Sequence, residues 1–299
     1  MTTVGFIGLG SMGMPMAHNL LAQGFAVQGF DVRRENVEAL AACGARPATG
    51  AADAAAGADA LVLMVVNAAQ AEQVLFAEDA LEALPAAAAV ILMATCPPSA
   101  VAALAARVEA AGRGFVDAPV SGGVVGAVAG SLSIMAAAPA AVVERVRPVL
   151  TAMGSKVYHV GEEPGQGATV KTVNQLLCGV HIAVVAEAFA LAAKVGVDLE
   201  VLLEIMSGSA ASSWMLKDRG PRMLQADPEA TSAVDIFVKD LGIVLEAGRD
   251  AKAALPLAAV AHQMFLATSG RGEGGMDDSQ VIRSYHVVNG TSQRSFLEK

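Results

Sequence analysis

Positive charge is scarce in this chain. It carries 20 Lys and Arg against 29 Asp and Glu, a formal net charge of -9 over 299 residues. Nucleic-acid binding is dominated by phosphate neutralisation, so this balance argues against a general affinity for DNA or RNA, and no Lys/Arg run restores one. Cysteine is equally sparse: Cys43, Cys96 and Cys178 are odd in number, widely spaced and form no CxxC pair. That pattern predicts reduced, mostly buried thiols in a cytoplasmic protein rather than a disulfide framework. His18, His159, His181, His262 and His286 are scattered, with no HxxxH or HExxH and no acidic cluster at ligand spacing, so no metal is expected. There is no GxSxG elbow and no Walker sequence. The N-terminal residues show no basic n-region or cleavage site, and the expected location is the cytoplasm.

Apolar surface, by contrast, is plentiful. With 54% hydrophobic and 16% charged residues, the chain has enough to bury and is expected to be globular throughout. Its length suits two domains.

From the start to about residue 160, short apolar runs alternate with Ala-rich helical stretches, which is the pattern of a parallel α/β sheet. Strands are predicted at Val4 to Gly8, Ala26 to Asp31, Ala60 to Val66, Ala89 to Met93, Gly114 to Val120 and Ser131 to Ala137. Helices are predicted at Met12 to Gln23, Arg34 to Ala42, Ala69 to Leu75, Ser99 to Ala111 and Ala140 to Met153. The Ala-rich tract Ala51 to Ala60 has low complexity, but alanine is the best helix former and strands flank it. After Gly161 the β-type runs stop, and long helical stretches follow at Ala168 to Val195, Leu199 to Ser207, Ala233 to Ala251 and Leu257 to Ser269. Pro164 and Gly165 break the pattern between them, so the expected domains are residues 1–163 and an all-helical 164–299. Val173 to Ala193 is long and apolar, but Asn174, Gln175, His181 and Glu187 interrupt it. Each is costly in hydrocarbon, so a buried core helix is expected rather than a membrane span.

Three constellations carry chemistry. Gly8-Leu9-Gly10-Ser11-Met12-Gly13 has GxGxxG spacing, follows a predicted strand, opens a predicted helix, and is followed by a second strand ending in Asp31. Glycines there permit a tight turn and close approach of backbone to a pyrophosphate, while the helix N-terminus offers unpaired N–H groups. A dinucleotide is the expected ligand. Asp31 would accept hydrogen bonds from the adenosine ribose and repel a 2'-phosphate, favouring NAD over NADP. Arg33 and Arg34 are either ordinary solvated charges at a helix start or partners for that phosphate.

The second constellation is Asp117-Ala118-Pro119-Val120-Ser121-Gly122-Gly123, at the end of a predicted strand. Two glycines after a serine can expose successive N–H groups to a substrate carboxylate, or can simply form a polar turn. The third is Lys171, Asn174, Gln175 and Cys178, spaced to share one helix face. A lysine in apolar surroundings is poised to act as a general base; the alternative is a snorkelling lysine at a solvated helix start. Lys239-Asp240 interrupts an otherwise mostly apolar stretch, either linking helices or reaching towards cofactor and substrate. Trp214, the sole tryptophan, is read as a core residue that could line a small pocket.

Together these residues resemble the β-hydroxyacid dehydrogenase family, which includes 3-hydroxyisobutyrate dehydrogenase and tartronate semialdehyde reductase and is related to 6-phosphogluconate dehydrogenase. The resemblance covers essentially the whole chain. It rests on Gly5 to Gly13 with Met16, Thr95-Cys96-Pro97, Asp117 to Gly123, Lys171 to Asn174 and Lys239-Asp240-Leu241. It implies a Rossmann domain, a long interdomain helix, and a helical domain that often makes a dimer or tetramer contact. It further implies that Lys171 is the catalytic acid/base, that Ser121, Gly122, Gly123 and Asn174 hold a small hydroxy acid, and that Asn67, Thr95 and Lys239 join the glycine loop and Asp31 at NAD. Val65 to Ala68, Glu72 to Phe76, Gln175 to Leu177 with Gly179 to Ala183, and Ser232 to Leu241 are most similar to the L-threonate dehydrogenase subgroup, which oxidises the C2 hydroxyl of a four-carbon sugar acid. That subgroup usually has histidine where this chain has Asn174, the residue of the wider family. Rival readings are a semialdehyde reductase on the same scaffold and a non-catalytic dinucleotide sensor.

Overall fold

The computed structural model describes residues 2–291. Contacts divide the chain into two compact units, with the boundary between Lys171 and Thr172.

The first unit opens with β1 (Thr3–Ile7), α1 (Gly13–Ala22), β2 (Ala26–Phe30), α2 (Arg34–Ala42), β3 (Arg46–Pro47), α3 (Ala51–Ala55) and β4 (Ala60–Leu63). It continues through α4 (Ala68–Glu72), α5 (Ala80–Ala83), β5 (Ala89–Leu92), α6 (Pro98–Ala110), β6 (Gly114–Asp117), β7 (Val120–Ser121), α7 (Gly123–Val128), β8 (Ser133–Ala137), α8 (Ala140–Met153) and β9 (Lys156–Gly161). The sheet order is β3-β2-β1-β4-β5-β6-β8-β7, with β9 beside β8. Strands from β3 to β6 are parallel, whereas β8 runs antiparallel to β6 and β7. The strand order reverses between β1 and β4, and in open parallel sheets this switch point is where a crevice forms at the carboxyl ends.

Strands that read as continuous apolar runs do so because both faces of the sheet are covered. Along β4 and β5, Val62 and Ile91 enter one core with Met16 and Leu20 of α1 and Val146 and Leu150 of α8. Their neighbours Leu61, Leu63, Val90 and Leu92 point the other way, into a core with Val101, Leu104 and Val108 of α6. The Ala-rich tract forms α3, whose Ala51, Ala54 and Ala55 are buried in that second core.

Most predicted elements are present, with shifted ends. The predicted strand Gly114 to Val120 is two short strands, β6 and β7, with Ala118 and Pro119 between them. Proline lacks an N–H to continue a ladder. Predicted Ala60 to Val66 stops at Leu63. Beyond it, Asn67 caps α4 through Oδ1 (Gln70 N–H, 2.9 Å) while the Gln70 side chain accepts from Val66 N–H. Strands β3 and β9 were not expected. β9, KVYHVG, is half-exposed and is held by its parallel pairing with β8.

The long helix α9 (Gln166–Lys194) starts in the first unit and runs on into the second, which adds α10 (Leu199–Gly208), α11 (Trp214–Met223), α12 (Val234–Asp250), α13 (Pro256–Thr268) and α14 (Ile282–Asn289). α9 is long and apolar enough to cross a membrane by length and composition, yet half of its most apolar window is buried within the protein. Ile182, Ala186 and Phe189 lie in the helical core with Phe237, Leu241 and Phe265. Asp198 and Ser213 cap α10 and α11 by accepting from Val201 N–H and Leu216 N–H. Of these helices, α11 and α14 were not expected. Four charged residues cross α11 and obscure its period, α14 is a short stretch of mixed polarity, and the structure accounts for several of the charges on α11. Arg219 of α11 makes a two-pronged contact with Asp278, Nε to Oδ1 at 2.6 Å and Nη2 to Oδ2 at 2.9 Å, with both residues buried. Asp218 and Arg222, joined to Asp277, extend the network.

Removing one partner from such a pair strands the other charge. Asp278→Ala should lower unfolding stability by about 3–5 kcal/mol, while the paired replacement Arg219→Met with Asp278→Leu should recover much of that loss. Denaturant unfolding of the two variants checks this. Equal destabilisation by both would mean that the charges themselves, rather than their pairing, hold α11.

Candidate active site

At the end of β1 the chain turns through Gly8, whose φ of 95° belongs to the left-handed region, and Gly8 N–H donates to Phe30 O at 3.0 Å. The turn brings the loop back so tightly that a Cβ on Gly13 would lie 1.8 Å from Gly8 O. No side chain fits there. α1 then begins with no acidic residue in its first turn, leaving the positive end of its dipole to an outside anion. The loop therefore has the shape and charge to cradle a pyrophosphate at the switch point of the sheet.

Asp31 follows β2 and is tied into this loop. Its Oδ2 accepts from Leu9 N–H at 2.6 Å, and Oδ1 accepts from Arg33 N–H at 2.8 Å. The sequence reading gave Asp31 to the ribose; in the structure its carboxylate also holds the glycine loop in place. Arg33 Nε lies 3.6 Å from Asp31, and Arg33 Nη2 lies 3.8 Å from the position of a Cβ on Gly10. Arg34 instead pairs with Glu38 on the exposed face of α2. Asn67 after β4 and Thr95 after β5 both follow the carboxyl ends of parallel strands.

Ser121 ends β7, and Gly122 and Gly123, with φ of 130° and 60°, turn the backbone into α7. The start of this motif has a role that the sequence reading missed. The Asp117 carboxylate, 1% exposed, accepts from Gly165 N–H at 2.9 Å and Ala168 N–H at 2.8 Å. It thus caps α9 from the neighbouring sheet, one turn before Lys171. Burial pushes the Asp117 carboxyl up to about 6, against the downward pull of backbone hydrogen bonds from Ala168, Gly165 and Gly167. An acid flanked by apolar strand residues was the available signal, since it must find donors if buried.

On α9, Lys171 is buried at 7% exposure, and Asn174, Gln175 and Cys178 follow it along the same face. Gln175 Nε2 donates to Asp240 Oδ2 of α12 at 2.5 Å, and Asp240 Oδ1 lies 2.7 Å from Lys239 Nζ. Asp240 thus links α12 to α9. Asn174 Nδ2 donates to Gln175 Oε1 at 2.9 Å and to Cys178 Sγ at 3.3 Å. Trp214 at the start of α11 is half-exposed, not a core residue. Among the described residues, no three His, Cys, Asp or Glu gather as metal ligands.

Residues 3–161 match the NAD binding domain of 6-phosphogluconate dehydrogenase, and residues 165–285 match the NAD-binding domain of NADP-dependent 3-hydroxyisobutyrate dehydrogenase. The chain belongs to the β-hydroxyacid dehydrogenase family. An L-threonate dehydrogenase of Cupriavidus necator is 44% identical over 94% of this chain and 95% of that protein. A 2-(hydroxymethyl)glutarate dehydrogenase of Eubacterium barkeri is 38% identical over 97% of this chain and 96% of its own. The crystal structure of a Salmonella typhimurium 3-hydroxyisobutyrate dehydrogenase superposes with a TM-score of 0.90 at 42% identity, covering 95% of this chain and 99% of that one. The protein is thus a hydroxyacid dehydrogenase that uses a nicotinamide dinucleotide, and its Rossmann sheet and helical second unit are those of this family.

Asp117 holds its proton more tightly in the folded chain than in the unfolded one. Its contribution to stability is complete below the ordinary value of 3.8 and is lost as pH rises through about 6. That loss amounts to about 3 kcal/mol. Asp117→Asn keeps a neutral acceptor without the titration, so from pH 4 to pH 7 its stability should gain on the wild type by about 2–3 kcal/mol. Parallel stability profiles in denaturant titrations would remove Asp117 as the titrating group.

Proposed function

We propose that the chain oxidises the C2 hydroxyl of a four-carbon sugar acid, L-threonate to 2-dehydro-L-erythronate, with NAD. The observation that carries this reading is buried Lys171 at the start of the polar face of α9. Residues 1–163 hold the dinucleotide through Gly8, Leu9, Gly10, Ser11, Met12 and Gly13, with Asp31, Asn67 and Thr95; residues 164–299 add Lys239. When bound, the nicotinamide ring supplies the hydride acceptor. Ser121, Gly122 and Gly123 receive the substrate carboxylate through the serine hydroxyl and backbone N–H groups. Lys171 takes the proton of the C2 hydroxyl at Nζ, and its burial keeps water from competing for that proton. Asn174 orients the hydroxyl groups.

The full-length similarity to L-threonate dehydrogenases supports this substrate. A second reading, 3-hydroxyisobutyrate oxidation, is favoured by the similarity to the Salmonella typhimurium structure and by Asn174 itself, since the resemblance places histidine there in the L-threonate subgroup. A homo-dimer or homo-tetramer in the cytoplasm completes the proposal. Val173, Leu177, Val184 and Leu191 leave an exposed apolar ridge at near-heptad spacing along α9, suited to a second copy.

An NAD-reduction screen over L-threonate, D-threonate, D-erythronate, 3-hydroxyisobutyrate and glycerate decides between the substrates, and no turnover with any of them would favour a dinucleotide sensor. Lys171→Ala should lower kcat by roughly 10²–10⁴-fold with little change in NADH affinity measured by fluorescence. Near-normal turnover by that variant would sink the role of Lys171. For the cofactor, the wild type should prefer NAD to NADP by at least about tenfold in kcat/KM, and Asp31→Asn should narrow that ratio by relieving repulsion of the 2'-phosphate. Preference for NADP would instead give Arg33 the deciding role.

A further inference from the structure

The hydrogen bonds behind Asn174 have a fixed direction. A carboxylate only accepts, so Asp240 Oδ2 requires Gln175 to turn its NH2 group toward it, at 2.5 Å. Gln175 Oε1 then faces the other way and accepts from Asn174 Nδ2 at 2.9 Å. The Asn174 NH2 group has a second hydrogen, and Cys178 Sγ lies 3.3 Å away to receive it. Both hydrogens of the Asn174 amide are therefore engaged inside the protein. Gln175 and Asp240 are buried, which makes an unsatisfied alternative arrangement costly. A chain of amides anchored on a buried carboxylate has one orientation.

We propose that Gln175 is a positioning residue that holds the Asn174 amide with Oδ1 toward the substrate, so that this site selects an acid carrying a hydroxyl next to the reacting carbon. An amide oxygen has two lone pairs, so Oδ1 can take a substrate donor beside any donor of the protein. A hydroxyl can meet it; hydrogen, fluorine or a methoxy group cannot. Selection for the C3 hydroxyl rests on the reading that Asn174 of this dehydrogenase contacts a 2,3-dihydroxy acid. The direction of the amide chain does not rest on it.

Two measurements on the full-length enzyme test the proposal. In the first, kcat/KM is compared for L-threonate and its 3-deoxy analogue. The wild type should prefer the hydroxylated acid by about 10–100-fold, and Gln175→Met should reduce that preference at least about fivefold by letting the amide turn. A purely structural role would depress both substrates alike and leave the ratio unchanged, which would overturn the proposal. In the second, the Asn174 side-chain NH2 is followed by NMR in protein labelled with 15N-asparagine, with the signal identified by its loss in Asn174→Ala. Hydrogen exchange should be slow in the wild type and at least about tenfold faster in Gln175→Met. Equal exchange rates would likewise overturn it. If Gln175→Met does not fold, Asp240→Asn serves, because a donor at that position allows both amides to reverse, and the same two changes are expected. A wild type that oxidises no acid in the panel would remove the proposed function alone, since the exchange measurement judges the amide chain without turnover.

Discussion

The carboxylate of Asp117, set at the end of β6, takes the first N–H groups of α9 and so determines where the longest helix of the chain begins. A helix leaves its first N–H groups unpaired, and most helices satisfy them with a residue of their own N-terminus or with water. Here the acceptor comes from a strand almost fifty residues earlier in the chain. Ser121 to Gly123 follow a few residues later, at the end of β7 and the start of α7, and Lys171 lies one turn into α9. The loop and the lysine are consequently referenced to a single buried group. Its burial raises its proton affinity, so the arrangement costs charge stabilisation in return for fixed geometry.

The glycine loop follows the same logic on the other side of the sheet's centre. Gly13 presses against Gly8, and Asp31 pulls Leu9 toward β2, so the loop's shape is set by contacts that leave no room for a side chain at Gly13. A loop preformed in this way would take an anion without first paying to order the backbone. In the helical unit, Asp240 fills the corresponding place, receiving Gln175 from α9 and lying against Lys239. Three acids, Asp31, Asp117 and Asp240, thus organise the glycine loop, the start of α9 and the Asn174 face.

The alternation of strand and helix was readable because both sheet faces are covered and the strands are unbroken apolar runs. Elements lacking such runs were not readable: β3 and β9 are short or half-exposed, α11 is interrupted by charges, and α14 is a short stretch of mixed polarity. The ionic network around Arg219 illustrates this. Its members stand nearly sixty positions apart, at a separation over which periodicity carries no information.

By itself, then, the sequence determined the tight glycine loop after β1, the polar face of α9 and the two-part organisation, because each is encoded locally in spacing, turn glycines and hydrophobic period. Only the tertiary structure decided that Asp31 braces the glycine loop, that Asp117 caps α9 and that Asp240 orients the amides behind Asn174. A buried carboxylate must find donors, and which backbone or side chain supplies them depends on which segments the fold brings within about 3 Å.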